Sequence, residues 1–309
     1  MLKKNSLLKA KPFLRWAGGK SQLLNTIEYN FPQKIKEDQY IEKYFELFVG
    51  GGSLYFYLRS KYDMGRAYIC DINPDLILAY KVIQNDHKKL IDSLSYMQDE
   101  YIFMTQEEKK NFYLDVKSRF NSSMKDFDYK HYDNNHIIRA SQLIFLNKTC
   151  FNGLYRVNKK GEFNVAFGKK DKPSICDIRT IKNVNRALKN TYIINGNYDV
   201  LEDLIDENSL VYLDPPYRPL PTKPDTVKYS KFNFDDKEQI KLSNFCKKNS
   251  EKGANIIISN SNPKSVDPND TFFDNIYNGF KIEEVKAKRM INPDKENRHN
   301  FNELLIKNY

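Results

Sequence analysis

Four short apolar runs, each ending at a glycine or a polar residue, place the strongest limit on how this chain can fold. The runs cover residues 44–49, 67–70, 210–213 and 254–258. The residues that follow them are Gly50, Asp71, Asp214 and Ser259. Continuous apolar runs of this length are typical of strands buried on both faces of a parallel sheet. Ligands of such sheets bind outside the carboxyl ends of the strands, so we expect the four following residues along one edge.

A helical segment separates the second run from the third. Residues 107–120 and 136–147 have the pattern of helices. Farther on, Val157 and residues 163–167 flank a Lys-Gly turn, which predicts a β-hairpin.

The length of 309 residues allows a full α/β core and a second module. We expect a catalytic sheet domain made of residues 1–74 and 177–309. Residues 75–176 are expected to form a module inserted into it. Residues 218–234 carry three prolines and few apolar side chains, which predicts a mobile loop beside Asp214.

The formal net charge of +10 favours a polyanionic partner, either nucleic acid or a membrane surface. The four cysteines form no CxxC pair and the four histidines no ligand motif, so no metal site is predicted. No apolar run reaches membrane-spanning length, and the N-terminus has no signal-peptide pattern. We therefore expect a cytoplasmic protein with reduced thiols and no membrane partner.

The motif Asp214-Pro215-Pro216-Tyr217 directly follows the third apolar run. The amino nitrogen of a base such as adenine is a poor nucleophile, because its lone pair is conjugated into the ring. A carboxylate and a backbone carbonyl that accept its two N–H bonds would turn the lone pair towards a methyl donor. Prolines stiffen the turn, and a tyrosine ring can stack on a flipped base, which is worth roughly 1–3 kcal/mol. The motif thus indicates methylation of an aromatic amine.

A glycine-rich turn follows the first run and begins at Phe48. Gly50 and Gly52 would let the backbone approach a ligand closely. The dinucleotide pattern GxGxxG is not met, because Tyr55 occupies the third glycine position. Asp71, about 20 residues on, is placed to bind ribose hydroxyls. A simple glycine turn and an Asx helix cap explain these residues equally well when each is taken alone.

Gly19-Lys20-Ser21 has the ending of a P-loop, but Leu14 stands where that motif requires its first glycine. Lys20 is instead suited to pair with the carboxylate of a methyl donor. Trp16 could pack on the apolar parts of the donor, or it could be an ordinary core residue.

Taken together and in this order, the motifs resemble the Dam family of DNA adenine methyltransferases, including the DpnII-type modification methylases. The resemblance runs nearly end to end, and the order of its blocks looks like that of the alpha group. The blocks are residues 12–20, 48–53, 71–73, 152–156, 161–165, 214–217 and 304–306.

The resemblance implies a Rossmann-like class I methyltransferase sheet with an inserted, mostly helical target-recognition domain that bears a β-hairpin. It implies S-adenosyl-L-methionine as donor, S-adenosyl-L-homocysteine as product, and no metal. The implied partner is double-stranded DNA, bound by a monomer. Two roles stay open: work beside a cognate restriction endonuclease encoded separately, and work alone.

Individual residues match positions of known role in the family. Trp16, Lys20, Asp71 and Asp214 match donor-contacting positions, and residues 214–217 match the catalytic block. The glycine-rich turn with Phe48, Gly50 and Gly52 is counted with the donor site.

The implied DNA-binding residues lie in and around the hairpin. Leu154 and Arg156 match base-reading positions, and Arg15 matches a basic position near a target guanine, which an arginine reads well. The remaining DNA-binding residues are Asn152 in the same block and the phosphate-contacting Lys169 and Lys170.

The resemblance implies GATC as the target sequence. Three residues or segments that bear on target specificity depart from the family pattern. Ala166 replaces a hairpin proline, Lys170 replaces a frequent aromatic residue, and residues 289–293 differ from the usual tail.

Two other functions stay open at this point. The chain could methylate another planar amine, such as an RNA base or a protein glutamine, although the basic hairpin module favours duplex DNA. It could also be a DNA-binding module without catalysis, although the intact Lys20, Asp71, Asp214 and Tyr217 argue against this.

Overall fold

The computed structural model describes residues 9–218, 234–287 and 301–309. Within these ranges seven strands form one sheet: β1 (Tyr40–Glu46), β2 (Asp63–Asp71), β3 (Thr191–Asn195), β4 (Ser209–Leu213), β5 (Asn255–Ser261), β6 (Lys281–Ala287) and β7 (Phe301–Lys307). Their order across the sheet is β3-β2-β1-β4-β5-β7-β6. The first five are parallel, and β7 pairs antiparallel with both β5 and β6.

The α-helices of the same ranges are α1 (Leu24–Tyr29), α2 (Gln33–Asp38), α3 (Ser53–Lys61), α4 (Pro74–Phe103), α5 (Gln106–Ser122), α6 (Asn134–Thr149), α7 (Ile178–Ala187), α8 (Asp236–Glu251) and α9 (Phe272–Ile276). Short 3-10 helices cover Phe151–Gly153, Tyr198–Leu204 and Pro263–Ser265. Among the described helices, none is long and apolar enough to cross a membrane.

The sheet is covered on both faces, as the apolar runs predict, and all four runs contribute to strands. In β4, for example, Leu210 packs into the core on one face and Val211 into the core on the other. β1 and β2 begin earlier than their apolar runs, because their ladder starts at Tyr40 and Asp63, where one face is still exposed.

The predicted end of β5 at Ser259 is wrong. The strand continues to Ser261, because β7 supplies an antiparallel partner that pairs Ser259 with Leu305 and Ser261 with Glu303. Ser259 is buried, and its hydroxyl lies 2.8 Å from the hydroxyl of Tyr212. It therefore lies inside the sheet rather than in a turn beyond it.

The inserted segment lies between β2 and β3, and both of its predicted helices are confirmed. A capping box between Thr105 and Glu108 starts α5, and Asp133 caps α6. The long helix α4 begins on the sheet, where Gln84 donates hydrogen bonds to the carbonyls of Leu188 and Thr191. It then continues beyond a kink and packs against α6.

The predicted hairpin is present as a turn with isolated bridges rather than as two regular strands. Val157 bridges Phe163, and Cys150 bridges Phe167. The side chain of Asn121 accepts a hydrogen bond from the backbone N–H of Phe163 at 2.8 Å and donates one to its carbonyl at 3.0 Å. These two backbone groups therefore do not pair with an opposite strand. We call residues 154–165 the hairpin.

A buried ion pair joins the start of α4 to α6. Arg139 of α6 is 1 % exposed and binds both carboxylate oxygens of Asp75, one of them at 3.0 Å. The third guanidinium nitrogen donates to the carbonyl of Phe120 and the hydroxyl of Ser123. The guanidinium also lies 4.2 Å from the Phe120 ring centroid. The donors of this buried charge are thus well satisfied.

Two sequence expectations fall mainly outside the described residues. The first is the predicted mobile loop, apart from its ends Arg218 and Phe234. The second is the tail at residues 289–293, whose sequence differs from the family pattern.

Candidate active site

The candidate site lies where the strand order of the sheet reverses, at the carboxyl ends of β1 and β4. β1 pairs with β2 on one side and with β4 on the other. Gly50 follows β1 and Asp214 follows β4. Such a reversal opens the crevice in which α/β sheets bind their ligands.

The turn after β1 needs glycine at two positions. Gly50 has a φ of 48°, and a Cβ atom there would lie 3.0 Å from Cδ1 of Trp16. Gly52 has a φ of 70°, and a Cβ atom there would lie 2.6 Å from the hydroxyl oxygen of Tyr80. Both conformations and both close approaches exclude larger side chains without rearrangement.

Asp71 fixes this turn from the end of β2. Its carboxylate accepts hydrogen bonds from the backbone N–H of Gly50 at 3.0 Å and of Asn73 at 2.9 Å. Burial raises the pKa of Asp71, although these backbone donors favour its charged form. Each carboxylate oxygen accepts one of the two bonds and keeps a lone pair that a ligand hydroxyl can use.

Two aromatic side chains border the glycine turn. The Trp16 ring is stacked on Tyr155 with a centroid distance of 4.8 Å. Phe48 packs against Tyr198 and meets the edge of Phe234. Trp16 and Phe48 are both only partly buried, so each keeps apolar surface for a ligand.

Lys20, Asp214 and Tyr217 form the charged centre of the site. The Lys20 ammonium lies 2.8 Å from the Asp214 carboxylate and 4.7 Å from the centroid of the Tyr217 ring. It also donates to the carbonyl of Gly18 at 2.9 Å. Burial raises the pKa of Asp214 to about 6, with Lys20 opposing the shift and Glu303 adding to it. The Asp214 side chain remains 18 % exposed, so a ligand can reach it.

A carboxylate from β7 orients the Tyr217 ring. The Tyr217 hydroxyl donates to Glu303 at 2.5 Å, and Glu303 is held in the sheet opposite Ser261. Burial raises the pKa of Tyr217 well above its usual value, so its phenol stays neutral. The side chain is half-buried, and its ring is therefore not sealed in the core.

A buried amide network holds the turn that contains the two prolines. Gln239 of α8 donates to the carbonyl of Pro216 at 3.0 Å and accepts from the side chain of Asn260 at 3.1 Å. Both amide side chains are fully buried. Within the described ranges the carbonyl of Pro215 accepts no hydrogen bond, so it can accept one from a ligand.

Most of the predicted DNA-binding residues lie on one surface. Asn147 joins two segments, because its side chain bonds the N–H and the carbonyl of Arg15 and the carbonyl of Gly153. The Arg15 side chain lies against Gly153, where a Cβ atom would be 2.6 Å from its Cδ. Asn152 is exposed with a φ of 55°, and Leu154 is half-buried. The structure thus brings Arg15 to the start of the hairpin.

Arg156 is exposed on the same hairpin, and its guanidinium donates to the side chain of Asn164 at 2.9 Å. This contact holds the side chain in an extended position at the surface, with four further N–H donors available for a ligand.

The two predicted phosphate-binding lysines differ from each other. Lys169 is exposed, whereas the ammonium of Lys170 is half-buried and donates to the carbonyl of Lys148 at 2.6 Å. Burial, and to a smaller extent Arg15, lowers the pKa of Lys170. Burial also lowers the pKa of Lys148, and the neighbouring Arg15, Lys11 and Lys170 add to that shift. The hairpin therefore adjoins a concentration of positive charge.

Four residues of the site could not be identified from the sequence, because each contributes through a contact that only the tertiary structure creates. They are Asn147, Tyr155, Gln239 and Glu303. Glu303 directly precedes the apolar residues 304–306, which form one of the blocks that resemble the family. Its position next to this block was the sequence feature that could have indicated a role in the site.

Comparison with known proteins places this site in a family. Residues 16–291 match the family model of D12 class N6 adenine-specific DNA methyltransferases. The chain is 46 % identical over 303 residues to the type II methyltransferase M.MjaIII of Methanocaldococcus jannaschii, covering 98 % of this chain and all of that relative. It is 30 % identical to the DNA adenine methylase of Vibrio cholerae, covering 96 % of this chain and 95 % of that relative.

A third relative is the type II methyltransferase M1.LlaDCHI of Lactococcus lactis, which is 30 % identical across the whole of this chain. The description of the matched family names DNA adenine as the substrate, rather than an RNA base or a protein amide. Family, fold and full-length similarity agree with the resemblance seen in the sequence. The chain belongs to the D12 class of N6 adenine-specific DNA methyltransferases.

Proposed function

We propose that this enzyme transfers a methyl group from S-adenosyl-L-methionine to N6 of an adenine flipped out of duplex DNA, within the target GATC. The observation that carries the proposal is that the Asp214 carboxylate, the Pro215 carbonyl and the half-buried Tyr217 ring follow β4 at the reversal point of the sheet.

The residues around the glycine turn fit the proposed donor. The Asp71 oxygens with unused lone pairs suit ribose hydroxyls, and the Lys20 ammonium suits the donor carboxylate. Because Gly50 lies against Trp16 and Gly52 against Tyr80, the turn has no side chains of its own at these positions, and its backbone borders the proposed donor site. Phe48 offers apolar surface to the adenine of the donor. S-adenosyl-L-methionine supplies an electrophilic methyl group when bound and leaves as S-adenosyl-L-homocysteine.

The turn after β4 would activate the target amine. The Asp214 carboxylate and the Pro215 carbonyl accept the two N–H bonds of the amino group and draw its lone pair out of conjugation. Tyr217 stacks on the base, and this offsets part of the few kcal/mol that flipping costs. Glu303 and Gln239 keep the ring and the turn in place before the base arrives.

The hairpin and Arg15 would contact the bases of the target sequence. An arginine binds guanine O6 and N7 with two hydrogen bonds, and both Arg15 and Arg156 are exposed on this surface. Leu154 offers an apolar contact beside them, Asn152 can bond base edges, and Lys169 supplies charge for phosphate.

We propose further that residues 75–176 act as the target-recognition domain, with residues 1–74 and 177–309 as the catalytic domain. The helix α4 begins at the first boundary and packs on the sheet through Gln84, so it links the two parts. A monomer paired with a separately encoded restriction endonuclease completes the proposal.

Mapping of methylated adenines tests reaction, atom and target together. The gene is expressed in a host without adenine methylation, and N6-methyladenine is located across the genome by single-molecule sequencing. We expect modification at GATC sites. Modification confined to another motif would contradict the target alone, and a complete lack of N6-methyladenine would contradict the proposed reaction.

The rate of methyl transfer is expected to fall as the pH drops through about 6. Burial raises the pKa of Asp214 to about 6, and only the ionised carboxylate accepts the amine N–H bond well. Single-turnover rates at pH 5 should be about a tenth of the plateau at pH 8. Asp214→Asn is the control, because its residual rate should lack this inflection. An identical inflection in that variant would show that another group titrates.

A further inference from the structure

Tyr155 points in the opposite direction from the two hairpin residues beside it. Leu154 is half-buried and Arg156 is exposed, whereas Tyr155 is 7 % exposed. Successive side chains of an extended segment point to opposite sides. If Leu154 and Arg156 face the bases, the residue between them therefore faces the interior. Tyr155 is that residue.

The inward side chain of Tyr155 reaches the donor side of the site. Its ring lies parallel to Trp16, with 4.8 Å between centroids and 20° between planes. Trp16 in turn lies against the glycine turn, at the position where Gly50 has no Cβ.

Tyr155 is also fixed from the side of the insert. Its ring packs on Phe163, on the opposite side of the hairpin, with 5.8 Å between centroids. Asn147 binds the backbone of Arg15 and of Gly153, so the segments that carry Trp16 and Tyr155 are tied together just before both rings. A shift of the hairpin backbone therefore has to move the Trp16 ring with it, because packed aromatic rings have little free space.

We infer that Tyr155 is a positioning residue that couples target recognition to donor binding. When bases of the correct target engage Leu154 and Arg156, the hairpin settles in one position, and Tyr155 sets Trp16 against the glycine turn. By linkage, the donor then raises the affinity for the target by the same factor as the target raises the affinity for the donor. The inference rests on the proposed function of the donor site and the hairpin.

Calorimetry of S-adenosyl-L-homocysteine binding, with and without a GATC duplex, tests the coupling. For the wild-type enzyme we expect the duplex to tighten binding about tenfold. In Tyr155→Leu, which removes the ring stack, the factor should fall below about twofold. Tyr155→Phe retains the ring and should retain most of the factor. Tyr96→Leu, a change of an exposed tyrosine on α4, should leave it unchanged. If the duplex tightened S-adenosyl-L-homocysteine binding by the same factor in Tyr155→Leu as in the wild-type enzyme, the inference would be overturned.

A second measurement needs no variant, because Trp16 is the one tryptophan of the chain. Addition of the GATC duplex without donor should change the Trp16 emission more than a scrambled duplex at equal saturation. Equal changes with both duplexes would overturn the inference, even though both ligands bind. If the wild-type enzyme bound neither S-adenosyl-L-homocysteine nor the duplex, the proposed function itself would fail.

Discussion

Replacing Asp214 by alanine is expected to lower the methyl-transfer rate roughly a thousandfold, while binding of the duplex is largely retained. The variant removes the side-chain acceptor that turns the amine lone pair towards the methyl group, and the Pro215 carbonyl alone cannot replace it. The measurement is single-turnover transfer of a radiolabelled methyl group to a GATC duplex. Because Lys20 loses its partner at 2.8 Å, thermal unfolding must show that the variant is still folded.

Two control variants separate the chemistry from general damage. Asp203→Ala removes an exposed carboxylate from a 3-10 helix and should leave the rate unchanged. Asp214→Asn keeps one acceptor oxygen and should lose less activity than the alanine variant. A folded Asp214→Ala enzyme with a rate within tenfold of wild type would contradict the assigned role.

Replacing Arg139 by methionine is expected to lower the free energy of unfolding by about 3–5 kcal/mol. The substitution leaves the Asp75 carboxylate buried, with the Tyr129 hydroxyl at 2.7 Å as its remaining side-chain donor. It also removes the donors to Phe120 and Ser123. Urea unfolding monitored by circular dichroism measures the loss.

The matched control is Arg119→Met, which breaks an exposed ion pair with Asp115 on α5 and should have no resolvable effect. The double variant Arg139→Met with Asp75→Leu should recover part of the loss, because it leaves no unpaired buried charge. If Arg139→Met were no more destabilising than Arg119→Met, the ion pair would not hold α6 to α4 as described.

The parallel core could be predicted from the sequence because its strands are buried on both faces. Continuous apolar runs at residues 67–70 and 210–213 report that burial directly. The edge strands gave no such signal: β3 has five residues, and β6 reads Lys-Ile-Glu-Glu-Val-Lys-Ala, as befits a charged edge. The extension of β5 to Ser261 depends on β7, which lies more than 40 residues away in the chain.

The candidate site could be predicted as far as its motifs extend. Asp71, Lys20 and Asp214 precede or follow recognisable turns, and the structure brings them to one end of the sheet. Glu303 and Gln239 could not be found in this way, because a glutamate in a strand and a glutamine in a helix have no local pattern. Their roles follow from the contacts with Tyr217 and Pro216, which only the tertiary structure creates.

The most direct test of the proposed chemistry is a crystal structure with S-adenosyl-L-homocysteine and a GATC duplex. We expect the target adenine outside the helix, stacked on Tyr217, with N6 within hydrogen-bond distance of the Asp214 carboxylate and the Pro215 carbonyl. An adenine extruded into a different pocket, or one that stays paired in the duplex while Asp214 remains bound to Lys20 alone, would contradict the account.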